Sequence, residues 1–277
     1  MPIEALLPLV TYPDASNNSV PVNGARMAHQ LGAKLYSLAL EVEVPDVSNA
    51  LSEALLDIPK LIRDAETNSR ARGEQLLRIA CDNAQSLGIE HEEESVRIRE
   101  PEFGPTAAIA ARYHDLSLIG WEPTNRSARV VAEALIFDSG RPVMLLPDAL
   151  PQTIGHIAVA WDGSRVAARA ISDALRLLGN AKSASVILVT DEKAIQDTSG
   201  AERLAEYLAR HNLQSSIHHV RSAGRSIGET LQAEAQKLGA DLLVMGAYGH
   251  SRLRQFVLGG ATRGILEDLQ MPVLLSH

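Results

Sequence analysis

The chain has 277 residues, 45% hydrophobic and 22% charged, with a net charge of −8. That length allows about two domains of ~100–150 residues, and the acidic balance excludes a general nucleic-acid binder, because no surplus of Lys and Arg exists to neutralise phosphates. The one cysteine, Cys81, excludes an internal disulfide and a Cys-based metal site, and with no apolar run of about 18 residues and no basic-then-apolar leader, a soluble, cytoplasmic protein without a membrane partner is expected.

Taken in order, Ile3 to Thr11 is apolar and closes in Tyr12-Pro13-Asp14, a strand and a turn. Val20 to Leu31 has helical spacing, and Lys34 to Val42 is a second strand. Val47 to Leu87 is helical in composition but too long for one ordinary helix, and Pro59 is expected to interrupt it, giving two helices or one kinked helix. Glu94 to Arg99 is a third strand, Pro105 to Tyr113 a helix, Asp115 to Gly120 a fourth strand, Ser127 to Phe137 a helix and Arg141 to Leu146 a fifth strand. Pro147 to Gly155 holds two prolines and little periodicity, the mark of a linker. The expected domains are therefore 1–150 and 151–277.

The second half repeats the order. His156 to Ala160 is a strand leading into Trp161-Asp162-Gly163-Ser164, and Arg165 to Leu178 is a helix. Ser185 to Thr190, Ala201 to His211 and Ser216 to Val220 continue as strand, helix and strand. Ser226 to Leu238 is a helix whose Ser226 and Glu229 stand at capping-box spacing. Asp241 to Met245 and Pro272 to Ser276 are the last strands, separated by a helix from Ala261 to Leu269. Asp115-Leu116-Ser117-Leu118-Ile119-Gly120 aligns with Asp241-Leu242-Leu243-Val244-Met245-Gly246, and Arg141-Pro142-Val143 with Met271-Pro272-Val273. The fold class expected from the alternation is α/β: two tandem five-stranded, Rossmann-like parallel sheets with helices on both faces. Ligands bind such sheets at the carboxyl ends of strands where strand order reverses, which directs attention to Asp162 and Gly246.

The run after Asp241 carries the chemistry. An apolar strand ends in Gly246 and Gly249, and nine residues later Gly259 and Gly260 open a helix. Glycines let a backbone approach an anion, and a helix start offers unpaired N–H groups and partial positive charge, so the pattern suits a phosphate. The same glycines also serve as ordinary turn residues. The first half lacks the pattern: Trp121-Glu122-Pro123 follows Gly120, and Glu122 would repel phosphate. A P-loop, a Gly-x-Gly-x-x-Gly turn and a Gly-x-Ser-x-Gly elbow are absent throughout, and His218 and His219 point to opposite faces of a strand, unsuited to a shared metal.

Residues 154–277 resemble the universal stress protein family, whose nucleotide pattern is Gly, two residues, Gly, nine residues, Gly, then Ser or Thr. Here it reads Gly246, Ala247-Tyr248, Gly249, nine residues and Gly259, with Gly260 in place of the hydroxyl and Thr262 two residues beyond it. The resemblance implies a tandem protein of this family, with a degenerate first domain and a second domain that binds ATP, with or without Mg²⁺, as a regulatory or sensing ligand in stress response. It implies that Asp162 faces the ribose or base, that Ala160 and Val189 line the adenine pocket, and that Met245 and Gly246 border the nucleoside. Gly249, His250, Gly259, Gly260, Ala261 and Thr262 would surround the phosphates. Asp162 also reads as a turn residue capping the next helix. Asp14, at the corresponding place in the first half, would mark a vestigial pocket. No catalytic residue is designated, so the enzymatic expectation stops at a weak ATPase. The alternatives are an interaction or scaffold module without nucleotide, and a slow nucleotide hydrolase. The expected partners are an adenine nucleotide, the two domains as an intramolecular pseudo-dimer, and a homodimer. ATP, ADP and AMP stay open as ligands.

Overall fold

The computed structural model describes residues 3–45, 57–191, 199–247 and 260–277. The chain divides into two compact units, Met1–Ser139 and Gly140–His277. The first contains β1 (Ile3–Val10), α1 (Ser19–Leu31), β2 (Ala33–Val42), α2 (Ile58–Leu87), β3 (His91–Ile98), α3 (Phe103–Ala111), β4 (Leu116–Gly120) and α4 (Arg126–Asp138). Its strands lie in the order β3-β2-β1-β4, and the pairs β1–β2, β1–β4 and β2–β3 are all parallel.

The second unit contains β5 (Val143–Leu146), β6 (His156–Ala160), α5 (Arg165–Leu177), β7 (Ser183–Val189), α6 (Gly200–Arg210), β8 (Gln214–Val220), α7 (Ile227–Lys237), β9 (Leu242–Gly246), α8 (Gly260–Glu267) and β10 (Val273–Ser276). Its order is β5-β10-β9-β6-β7-β8. Each sequence repeat thus supplies five strands, but β5, the last strand of the first repeat, pairs antiparallel with β10 in the second unit. The four-residue apolar stretch of β5 is buried throughout; such a strand needs partners for its backbone and cover for its side chains.

Of the expected helical stretch from Val47 to Leu87, the part before Asp57 lies outside the described residues, and a single helix, α2, spans Ile58–Leu87. Asp57 is its N-cap, with the carboxylate accepting from Lys60 N at 3.1 Å. Pro59 therefore sits in the first turn of α2, where a missing N–H costs nothing. The helix runs 30 residues to Gly88, whose φ of 69° lets its N–H reach the carbonyls of Ala84 and Gln85. The equivalent α6 has 11 residues. Most of the extra length of the first half lies in α2.

Each repeat anchors its fourth strand with the aspartate that opens the repeated run. Asp115 Oδ2 accepts from Glu4 N at 3.0 Å, and Asp115 N donates to the Glu4 carbonyl at 2.9 Å. Asp241 Oδ2 accepts from Gly155 N at 2.8 Å and His156 N at 2.9 Å, and Asp241 N donates to His156 O at 2.8 Å. A carboxylate that accepts backbone N–H groups at a sheet edge sets the register of the two strands that follow. Leu242, Leu243 and Val244 are fully buried and Met245 is 3% exposed, as a strand covered on both faces requires.

Candidate functional site

In the second unit the chain goes from β6 outward to β7 and β8, then returns to β9 on the other side of β6. The strand order therefore reverses between β6 and β9, and a crevice opens outside their carboxyl ends. Val159 lies beside Val186 of β7 and Val244 of β9. Ala160, Val189 and Met245 thus end three neighbouring strands at one edge. The structure brings together this subset of the residues anticipated from sequence.

The turn after β6 is short. Trp161 N extends the ladder by donating to Ile187 O at 2.9 Å. Asp162 is exposed and its Oδ1 accepts from Ser164 N at 2.9 Å. Gly163 takes φ 73°, a conformation a side chain would disfavour. Ser164, not Asp162, caps α5, through Oγ accepting from Ala167 N at 3.2 Å. Asp162 shapes the turn and leaves its carboxylate at the crest of β6.

Gly246 has a packing reason for being glycine. A Cβ there would stand 2.6 Å from Ala167 N and the Val166 carbonyl carbon, inside the first turn of α5. Gly120 holds the same place in the first unit, where a Cβ would stand 2.3 Å from Val20 Cγ2 in the first turn of α1. The first glycine of the motif therefore seats a helix on a strand in both units, with or without the rest of the motif.

Gly260 and Ala261 begin α8. Thr262 is 2% exposed. The middle of α8 lies against the start of α7: a Cβ on Gly228 would meet Ile265 N at 2.5 Å, and one on Gly264 would meet Ser226 Oγ at 2.7 Å. Ser226 and Glu229 form the anticipated capping box at that crossing. Gly249, His250 and Gly259 lie outside the described residues.

The same edge of the first unit is built differently. Leu6 pairs with Ser117 and Ala158 with Leu243, and Ser117 and Leu243 match in the repeated run, so Leu6 and Ala158 are equivalent. Four residues on, Asp162 corresponds to Val10, inside β1. Asp14 is not its counterpart; it lies exposed in the following loop. Ten residues separate Pro8 from Ser19, whereas four separate its equivalent Ala160 from Arg165.

The additional residues fold back over the strand end. Ser16 N donates to Val10 O at 2.8 Å, and Val10 N donates to Ser16 Oγ at 3.1 Å. Thr11 Oγ1 donates to Leu40 O at 2.7 Å and lies 2.6 Å from Ser69 Oγ. Arg72 reaches in from α2, donating to Ser16 O and, at 2.8 Å, to Asn18 Oδ1. Glu122 Oε1 accepts from Asn17 N at 3.2 Å. Trp121 is 4% exposed. Burial draws the Arg72 guanidinium below its usual range, and the nearby Glu122 carboxylate opposes this. The role of Glu122 was hidden in sequence, where its charge signalled only an ill fit to phosphate; in the fold it pins a loop 105 positions away.

Exposure follows the same contrast. Ala160 and Val189 are half-buried, whereas their equivalents Pro8 and Leu40 are buried. The edge of the first unit is filled by its own chain, whereas at that of the second, among the described residues, Ala160 and Val189 keep part of their surface exposed at the ends of β6 and β7. Among the described residues, no group of three or more His, Cys, Asp or Glu is placed to hold a metal ion, and no helix is long and apolar enough to cross a membrane.

Comparison with known proteins gives the edge a context. Residues 153–277 match the model of the Universal stress protein family. Universal stress protein Slr1230 of Synechocystis sp. is 28% identical over 151 residues, which are 51% of this chain and 49% of that relative. The chain thus spans about half the length of the curated relative it matches. A universal stress protein from Archaeoglobus fulgidus superposes with a TM-score of 0.72 at 16% identity, covering 99% of this chain and 95% of that one. A functionally unknown protein from Pseudomonas aeruginosa PAO1 gives 0.56 at 19% identity, covering 98% and 92%. At these identities the structural likeness establishes the α/β fold.

Proposed function

From the universal stress protein domain at residues 153–277, we propose that the second unit binds an adenine nucleotide at the carboxyl ends of β9, β6 and β7, as a regulatory or sensing ligand in a stress response. The observation that carries the reading is the contrast between units: Ala160 and Val189 are half-open where Pro8 and Leu40 are closed. The exposed carboxylate of Asp162 suits ribose hydroxyls and is ill placed beside phosphate, so the sugar belongs over β6. The phosphates then fall on the glycine side after β9, toward the start of α8 at Gly260, Ala261 and Thr262, with Gly249, His250 and Gly259 in the intervening run. Val189 is left for the base. Mg²⁺, where present, would be carried by the phosphates. The site is cytoplasmic in this reading, and one nucleotide binds per chain.

Titration of the purified full-length chain with ATP tests the proposal. Saturable binding at about one equivalent supports it; no binding at roughly millimolar nucleotide overturns it. A mass spectrum of nucleotide released from freshly purified, denatured protein identifies ATP, ADP or AMP. Turnover above about 1 s⁻¹ would point to an enzyme instead of a sensor.

A second reading, an interaction module, is favoured by the outer faces of α3 and α4. Ile109 is 52% and Val130 47% exposed, with Tyr113 and Phe137 also outward, whereas α7 and α8 expose Glu229, Lys237, Arg263 and Glu267. Homodimerisation belongs to the same proposal; sedimentation of the full chain tests it.

A further inference from the structure

We infer that Asp191 and Ser222 form a positioning pair that holds the exit of β7 for the base, and thereby sets the preference of the site for one nucleobase over another. The inference rests on the nucleotide reading above and deepens it.

The ladder between β7 and β8 ends at Val189–Val220. Beyond it, Thr190 N and Oγ1 both donate to Val220 O, at 2.9 and 3.2 Å. The carboxylate of Asp191 then accepts Ser222 N at 2.9 and 3.1 Å on its two oxygens, and Ser222 Oγ at 2.9 Å. These bonds hold the Asp191 carboxyl below the usual carboxylate range, the Ser222 backbone N–H contributing most. Downstream, Ala223 takes φ 51° and Gly224 φ 87°. A left-handed alanine persists where surrounding bonds over-determine it. The turn closes with Arg225 N on Ser222 O at 3.1 Å, directly before the Ser226 cap of α7.

The first unit shows what a purely structural ending looks like. Val189 corresponds to Leu40, because Leu6 pairs with Tyr36 and Ala158 with Ser185. Two residues on, Asp191 corresponds to Val42. There the strand simply continues: Val42 pairs with Ile98 and is 3% exposed. In the second unit regular pairing stops two residues earlier, and a carboxylate clamp takes over from the ladder. The clamp holds the chain from the β8 side, just past Val189, which stays half-buried at the exit of β7. Neighbouring strands lie about 4.8 Å apart, so β9, β6 and β7 span roughly 10 Å. A nucleotide with phosphates beyond β9 and ribose at Asp162 brings its base to this exit.

The test measures the affinities of ATP and GTP, by competition against one fluorescent ATP analogue, for the full-length protein and for Asp191→Ala, Asp191→Asn and Ser222→Ala. Wild type is expected to prefer ATP. Asp191→Ala should weaken ATP about tenfold and leave GTP within about twofold, because charge-assisted hydrogen bonds that order the exit are lost. Asp191→Asn, which keeps one acceptor oxygen, should fall between; Ser222→Ala should move the preference in the same direction, with no further loss when combined with Asp191→Ala. Equal weakening of both nucleotides marks a merely structural role and overturns the inference, as does an unchanged ATP-to-GTP ratio or a wild type without preference. Wild-type protein that binds neither nucleotide overturns the underlying nucleotide reading, and this inference with it.

Discussion

Replacing Gly246 by alanine puts a methyl group where the first turn of α5 sits. The new Cβ would lie 2.6 Å from Ala167 N and the Val166 carbonyl carbon, and 2.7 Å from Val166 Cγ2. Two of these three atoms are backbone, so a rotamer change cannot relieve the overlap and the helix must move. Overpacking of this kind costs about 1–3 kcal/mol, and the lost flexibility of the unfolded chain returns only about 0.4–1 kcal/mol. A net loss of about 1–2 kcal/mol lowers the unfolding midpoint of the second unit by roughly 4–8 °C. Gly120→Ala meets a different obstacle: all three nearest atoms belong to the Val20 side chain, with Cγ2 at 2.3 Å. Val20→Ala should therefore rescue much of Gly120→Ala, with a coupling of about 1–2 kcal/mol in a double-mutant cycle. Val166→Ala should rescue little of Gly246→Ala. Gly179→Ala, with nothing within 4 Å of the new Cβ, is the control and should stay within about 0.5 kcal/mol. Calorimetry and urea unfolding of the full chain read all of these. A neutral Gly246→Ala, or a Gly120→Ala that Val20→Ala leaves unchanged, would refute the packing account of the shared glycine.

Asp162→Ala should weaken ATP at least about tenfold in isothermal titration while costing only about 0.5–1 kcal/mol of stability, because it removes one exposed turn bond and leaves the Ser164 cap in place. Titration of wild type should saturate at one nucleotide per chain, and a second site of similar affinity would contradict the self-filled edge of the first unit. Arg72→Ala should speed hydrogen exchange across residues 11–18 and destabilise the first unit by about 1–3 kcal/mol, since it removes the bonds to Ser16 O and Asn18 Oδ1. Glu66 is held below the usual carboxylate range by Arg97 and the Val44 N–H. Its stabilisation is therefore complete above the unfolded-state value and fades as pH falls through the lower folded-state value. The difference in unfolding midpoint between wild type and Glu66→Gln should shrink as pH falls from about 6 to about 3.

Much of the architecture was legible because it is written in local chemistry. Four apolar residues after Asp241 specify a doubly covered strand, Ser226 and Glu229 specify a helix start, and the matching runs at Asp115 and Asp241 reveal the repeat. Pro59 marked a boundary in the long helical stretch, and the structure places it in the first turn of the helix that Asp57 caps. The strand ends at Asp162 and Gly246 were legible from the alternation of strands and helices, whereas Ala160, Val189 and Met245 were named only through the family resemblance; the structure sets these three at the ends of neighbouring strands. Asp191 and Ser222 were not legible. A carboxylate after a strand and a serine in a turn are ordinary surface residues in sequence, and their bond joins positions 31 apart.

By itself, the sequence determined the α/β class, the tandem repeat and the presence of a glycine-spaced run in the second half, because periodicity and residue order are properties of the chain. The tertiary structure alone decided that Gly246 shares its packing role with Gly120, that β5 pairs with β10, and that Val10 stands where Asp14 had been assigned. It also decided that Ser16, Arg72 and Glu122 close the edge of the first unit. Each of these depends on which atoms meet across a distance in sequence, and steric overlap, strand register and hydrogen bonding between remote residues are set only when the sheet assembles.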